Sequence, residues 1–324
     1  MRRAIVPFLI LAVSVAAPCA AEPAAAPAPR PSLKQALAEL KVPPAWFATT
    51  TVSWDTARPW KEARLEVRRL LAGDAVGARE GVKLTWLYAQ KSDIGDGHEL
   101  SLYLFLSGNT AWALQEYERH LKAVAGKGAT HAYLAAASCY AHFGEHDKAL
   151  ERLTSALLDL PPKPWRISSL ATVHDHLGDL YAKRGDAVKA REHYAEAIRL
   201  YPTSDQPWGR HLLPRRAAKV QTKLDLLAMQ SLQAAQLKDG TYTGRSLGYA
   251  DDKELEVTVT VAGGRIADVK VRHEEKIDLN AAELIPQRIV ARQSLQVDAV
   301  TGATVTSQAV VDGAFQALKQ AGLK

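Results

Sequence analysis

The stretch Leu177-Gly178-Asp179-Leu180-Tyr181-Ala182-Lys183-Arg184-Gly185-Asp186-Ala187-Val188-Lys189-Ala190-Arg191-Glu192-His193-Tyr194-Ala195-Glu196-Ala197-Ile198-Arg199-Leu200-Tyr201-Pro202 reads as two helices joined at Gly185. Small residues at Gly178, Ala190 and Ala197 let the pair approach closely, and Tyr181 and Tyr194 fill the space between them. The glycine accommodates a turn with positive φ, and Pro202 ends the second helix. Working outward, the pattern recurs upstream. Gly144 is followed by Ala149, Leu153, Ala156 and Pro161, and Gly108 by Ala113, Tyr117 and His120. The turn glycines are 36 and 41 residues apart, the longer interval holding an insertion around Pro162-Lys163-Pro164-Trp165.

These residues resemble the tetratricopeptide repeat, a helix–turn–helix unit of roughly 34 residues. The match is fullest in the last unit and weakens toward the first. It implies an all-α array over residues 98–237 whose surface docks a partner protein. Residues 215–237, with apolar Ala218, Leu224, Leu227, Leu232 and Leu237, predict an amphipathic helix capping the stack. Residues 33–97 are expected to be helical in part, notably 61–72, but Trp46, Trp54 and Trp60 fall in Pro-containing segments without a motif.

Composition is that of a globular protein: of 324 residues, 47% are hydrophobic and 23% charged. The net charge of +6 comes without a block of like charges, so no nucleic-acid face is indicated. Arg2 and Arg3, the apolar run Ala4–Ala17 and the small residues Cys19-Ala20-Ala21 read as a secretory signal, residues 1–21, cut after Ala21. Lipid attachment at Cys19 is the competing reading, disfavoured by Pro18. Residues 22–32 form a Pro/Ala linker. An exported, periplasmic or membrane-peripheral protein is the expectation. Cys139 then stands alone and fills a small core position.

Beyond Gly240 the period switches. Leu255, Val257, Val259 and Val261 alternate with polar residues as a half-buried strand, Gly263-Gly264 makes a hairpin turn, and Ile266, Val269 and Val271 mark the return strand. Thr241–Gly244 reads as a further short strand. Helices are expected over Ala281–Ser294, despite Pro286, and over residues 305–321. Together these predict a small α+β domain over residues 238–324, so the fold class is multidomain: helical repeats, then an α+β domain.

Within it, Asp298-Ala299-Val300-Thr301-Gly302-Ala303-Thr304 resembles the flavinylation motif of the FMN-binding domain family, which includes the FMN-carrying subunits of sodium-translocating NADH:quinone oxidoreductase and Rnf-type complexes. The resemblance implies FMN esterified through its phosphate to Thr304, with Asp298, Thr301, Gly302 and Ala303 shaping the loop. It also implies a separate flavin transferase that draws FMN from FAD, and a redox partner protein, with a membrane electron-transport complex as a candidate. On its own chemistry, a threonine hydroxyl needs outside activation to attack a phosphoryl group, and a helix start favours the phosphate once attached. The string also suits a helix cap at Thr301 or Thr304, and the two readings are compatible.

Other candidates read more plainly. His273-Glu274-Glu275-Lys276 reads as a solvated strand end, with approach to the flavin or a redox partner as the alternative; Gln287, Arg288 and Gln293 are candidates for the cofactor's polar edge that no spacing rule demonstrates. His142-Phe143-Gly144-Glu145-His146 matches a zinc-peptidase string, but Gly144 breaks the helix face that such a site needs. His174-Asp175-His176 is read as repeat surface. The expected function is an exported electron carrier rather than an enzyme with its own substrate. A repeat scaffold with an auxiliary flavin domain, and an extracytoplasmic flavin-dependent reductase, are the alternatives.

Overall fold

The computed structural model describes residues 31–94, 98–229, 237–250, 253–275, 278–300 and 303–323. The proposed signal, most of the linker, and Thr301 and Gly302 lie outside them. The first described helix is α1 (Leu33–Glu39). Antiparallel hairpins follow: α2 (Trp60–Leu71) with α3 (Ala75–Gln90), α4 (His98–Leu106) with α5 (Thr110–Val124), α6 (Thr130–His142) with α7 (His146–Leu158), and α8 (Arg166–Lys183) with α9 (Ala187–Leu200). Helix α10 (Leu213–Ala228) packs on α9.

The turn glycines behave as the sequence predicts. Gly108, Gly144 and Gly185 take φ of +79°, +76° and +78° between the helices of their hairpins. Ala113, Ala149, Ala190, Ala156 and Ala197 are buried, with Tyr117, Leu153 and Tyr194 filling the space between helices. At Gly178 a Cβ would lie 2.4 Å from the Tyr194 ring, so glycine sets the spacing of α8 and α9. Cys139 is fully buried in α6, and burial holds its thiol well above the ordinary range.

The α2/α3 hairpin extends the stack by one unit beyond the residues that carry the repeat pattern. Its turn is built differently: the Asp74 carboxylate accepts from Gly77 N at 2.8 Å and caps α3. Trp60 sits buried at the start of α2, 5.3 Å from the Tyr88 ring, while Phe47 packs between Trp86 and Trp112.

The C-terminal domain has three antiparallel strands, β1 (Gly240–Leu247), β2 (Glu254–Ala262) and β3 (Arg265–Arg272), in the order β1-β2-β3, with α11 (Ala281–Arg292) and α12 (Thr304–Gln320). Leu255, Val257, Val259 and Val261 all face the core, as alternation requires. Gly263 and Gly264 close the hairpin at positive φ, and a register shift falls at Thr260/Val261. Helix α12 lies close on β1 and β2: a Cβ on Gly244 would be 2.0 Å from Gly313 O, and one on Gly313 would be 2.5 Å from Val257 Cγ2.

Helix α10 is shorter than expected. Its backbone turns extended at Met229 rather than continuing to 237, residues 230–236 lie outside the described segments, and Leu237 is buried in the core of the C-terminal domain. The stripe that predicted one long cap therefore divides between two cores.

Candidate functional site

Thr304 is the first residue of α12 and is exposed, whereas Ala303 before it is buried. Contrary to the sequence expectation, Thr304 does not cap the helix: the cap position is Ala303, whose side chain has no acceptor, and no acidic residue occupies the first turn. The first N–H groups of a helix have no intrahelical partner and carry its positive end. An alanine cap beside an exposed hydroxyl thus leaves a place that a phosphate ester fits. The residues present fit the phosphate of an FMN at this position.

Ser307 organises the approach to that end. Its Oγ donates to Ala303 O at 2.8 Å and accepts from Val300 N at 3.0 Å, while Ala303 N donates to Val300 O at 3.0 Å. Val300 and Ala303 are thereby held across the two motif positions, Thr301 and Gly302, outside the described residues. Asp298 is largely exposed, at 3.6 Å from Arg292 Nη2, and its backbone carbonyl accepts from Arg288 Nη1. Arg288 therefore braces the motif. Gln293 instead pins α11 to β3, its Oε1 accepting from Ile266 N at 3.0 Å and its Nε2 donating to Ile266 O at 2.8 Å. Gln287 is exposed.

The sequence favours a solvated strand end for Glu275, and the structure corrects this. Glu275 Oε2 accepts from Tyr249 N at 2.8 Å and from the Thr306 hydroxyl at 2.9 Å, and its Oε1 from Ala250 N at 3.3 Å. One carboxylate ties the loop after β1, the segment after β3 and the first turn of α12. Gly248 makes room for it: a Cβ there would fall 1.9 Å from Glu275 Oε1. The signal available in sequence was a glycine just past β1 and an acid shortly after β3, too common a pair to single out. His273 and Glu274 line a polar cavity of about 330 Å³ on the outer sheet face with Arg245, Glu254, Glu256 and Arg272. Its central charges are paired, Glu256 with Arg245 at 3.0 Å and with Arg272 at 3.3 Å.

The other face of α12 meets the helical array. Gln308 Nε2 donates to Asp179 Oδ2 at 3.2 Å, Thr222 Oγ1 donates to Asp312 Oδ1 at 2.5 Å, and Gln316 Nε2 reaches both Thr222 and Asp312 at 3.4 Å. Lys223 bridges Asp175 at 2.6 Å and Asp179 at 2.9 Å. Burial opposes charge on Lys223 and Asp179, but their pairing outweighs it, holding Lys223 above and Asp179 below its ordinary value. Lys219 donates to Leu247 O, and burial brings its ammonium down to about 8, with Asp312 partly opposing the drop.

The histidine strings separate from this site. His142 ends α6 and His146 begins α7, so they share no helix face. His174 Nδ1 lies 2.9 Å from His193 Nδ1, and burial lowers both imidazoles. His176 is lowered by burial too. Asp175 belongs to the Lys223 cluster rather than to a solvated surface.

Comparison with known proteins agrees with this geometry. Residues 248–319 match the FMN-binding domain family, and residues 171–204 match the tetratricopeptide repeat. The chain thus joins tetratricopeptide-type hairpins to an FMN-binding domain, with Thr304 inside the matched segment. A similar protein is the NADH:acrylate oxidoreductase of Vibrio harveyi, 39% identical over 99 residues, which is 29% of this chain and 10% of that protein. The chain spans only about a tenth of that relative's length.

Proposed function

We propose that this chain is an exported flavoprotein electron carrier with FMN joined through its phosphate to Thr304. The observation that carries the reading is Thr304 itself: an exposed hydroxyl at the alanine-capped start of a 17-residue helix, within a segment matching the FMN-binding domain family. Attachment would form a bond from Thr304 Oγ to the FMN phosphorus as the FAD pyrophosphate breaks. AMP leaves and the hydroxyl proton passes to the transferase. The bound flavin would supply one- or two-electron redox chemistry. The chain's own residues would hold it: the α12 N–H groups at the phosphate, and Ser307, Arg288 and Glu275 on the backbone around it.

The partners are a magnesium-dependent flavin transferase and a redox protein or membrane electron-transport complex. The reductase alternative draws support from the oxidoreductase relative, as one flavin-bearing part of such a system. Intact mass with absorbance on protein from its native source tests the assignment. Loss of residues 1–21, a gain of FMN minus water and a flavin spectrum are expected. A Thr304→Ala chain that kept the increment would remove Thr304 as the attachment point. Steady turnover of a small substrate by the isolated flavin-loaded protein would favour the reductase reading.

A further inference from the structure

Four residues of α12, Thr304, Gln308, Asp312 and Gln316, stand four positions apart, so they form one ridge along the helix. Three of them lie against the helical array: Gln308 meets Asp179 of α8, Asp312 meets Thr222 of α10, and Gln316 reaches the same threonine. Thr304 heads the ridge, one turn beyond Gln308, and is exposed. The domain also reaches the other end of the array. Leu279 packs against both the core formed by the first hairpins and the core of the C-terminal domain, and Tyr249 lies within electrostatic reach of Arg68 on α2 and Tyr117 on α5. The carrier of the motif is thus held on the array at two places, with Thr304 one helical turn beyond the Gln308 contact.

We infer that the helical array works in cis: its α8 and α10 side chains hold the helix bearing Thr304, and the array forms the wall that a flavin on Thr304 faces. This rests on the flavin reading above. The Lys223–Asp179–Gln308 chain is the positioning device. Within the array Lys223 and Tyr194 fix the Asp179 carboxylate, and its Oδ2, which pairs with Lys223, also accepts from Gln308 of α12. On the side formed by Asp179 and Thr222, the array is engaged by the chain's own last helix.

The test uses the full chain, co-produced with a flavin transferase, as Gln308→Ala and Asp179→Asn variants beside the parent. Gln308→Ala removes one half-buried side chain and leaves the array intact, so it remains informative if Asp179→Asn fails to fold. Intact mass reads flavin attachment, hydrogen exchange over residues 308–316 reads the clamp, and flavin fluorescence anisotropy with iodide quenching reads the wall. The mass increment should be unchanged, exchange about tenfold faster, as expected for losing a hydrogen bond to a charged group, anisotropy lower and quenching severalfold stronger. Unchanged exchange in Gln308→Ala overturns the clamp. Faster exchange with unchanged anisotropy and quenching overturns the wall. A parent without the mass increment overturns the flavin reading and the wall with it, while the exchange arm still decides the clamp.

Discussion

The Glu275 carboxylate accepts the Thr306 hydroxyl hydrogen bond at 2.9 Å, joining the end of β3 to the helix that begins at Thr304. Since the same group accepts from Tyr249 N and Ala250 N, it fixes where the first turn of α12 stands relative to the sheet. Glu275→Ala should therefore slow flavin attachment by about tenfold to a hundredfold, the scale of a 1 Å displacement at a reacting group. Glu275→Gln, which keeps an acceptor, should fall between the variant and the parent. Time courses of the mass increment with transferase and FAD give the order, and equal rates for all three chains would refute it.

Gly248→Ala attacks the same junction from the other side. A methyl 1.9 Å from Glu275 Oε1 and 2.4 Å from Leu255 Cδ1 forces both to move. The expected cost is about 1–3 kcal/mol of stability, visible in urea unfolding, together with slowed attachment. Unaltered unfolding would show that the loop yields freely.

In the repeats, two glycines should fail for different reasons. Gly178→Ala drives a methyl to 2.4 Å from the Tyr194 ring and should cost about 1–3 kcal/mol. A Gly178→Ala, Tyr194→Leu pair should recover part of it. Gly185→Ala meets no neighbouring atom within 4 Å but keeps φ near +78°. Its cost should be about 1–2 kcal/mol and should not respond to Tyr194→Leu. Thermal unfolding of the two glycine variants, each alone and combined with Tyr194→Leu, beside the parent and Tyr194→Leu, separates the two mechanisms.

Lys219 predicts a pH signature. Its folded value, about 8, lies below the unfolded 10.5 because burial disfavours the charged form, with Asp312, Lys223, Asp175 and Arg216 around it. Between those values the unfolded chain binds more protons, so this group's contribution to stability rises with pH there. Its penalty is fully present below about pH 8. Parent minus Lys219→Met stability, from urea melts between pH 7 and 10, should therefore climb with pH. A flat difference would refute the assignment.

What could be read in the sequence was what neighbouring residues decide. Gly144 and Gly185, with alanines at fixed offsets, announce hairpins because a turn and the two helices beside it are local. The β2 alternation and the Thr-Gly-Ala-Thr string are local too. Glu275 was hidden because its partners, Tyr249 and Thr306, come from distant segments brought together only by the fold. The α2/α3 hairpin was hidden because Asp74 makes its turn by capping, in place of a left-handed glycine. Leu237 misled because its position on a helical stripe says nothing about which core receives it.

The Gly244–Gly313 contact acts as a pivot. Because neither glycine has a side chain, α12 rests directly on the backbone of β1, and nine positions of helix separate that seat from Thr304. At 1.5 Å per residue the hydroxyl stands at the end of a lever of about 13 Å, so a tilt of about 5° at the seat would carry it by about 1 Å. Any cargo on Thr304 is aimed from the middle of the helix, and an added methyl at Gly313 would misdirect it without touching the motif.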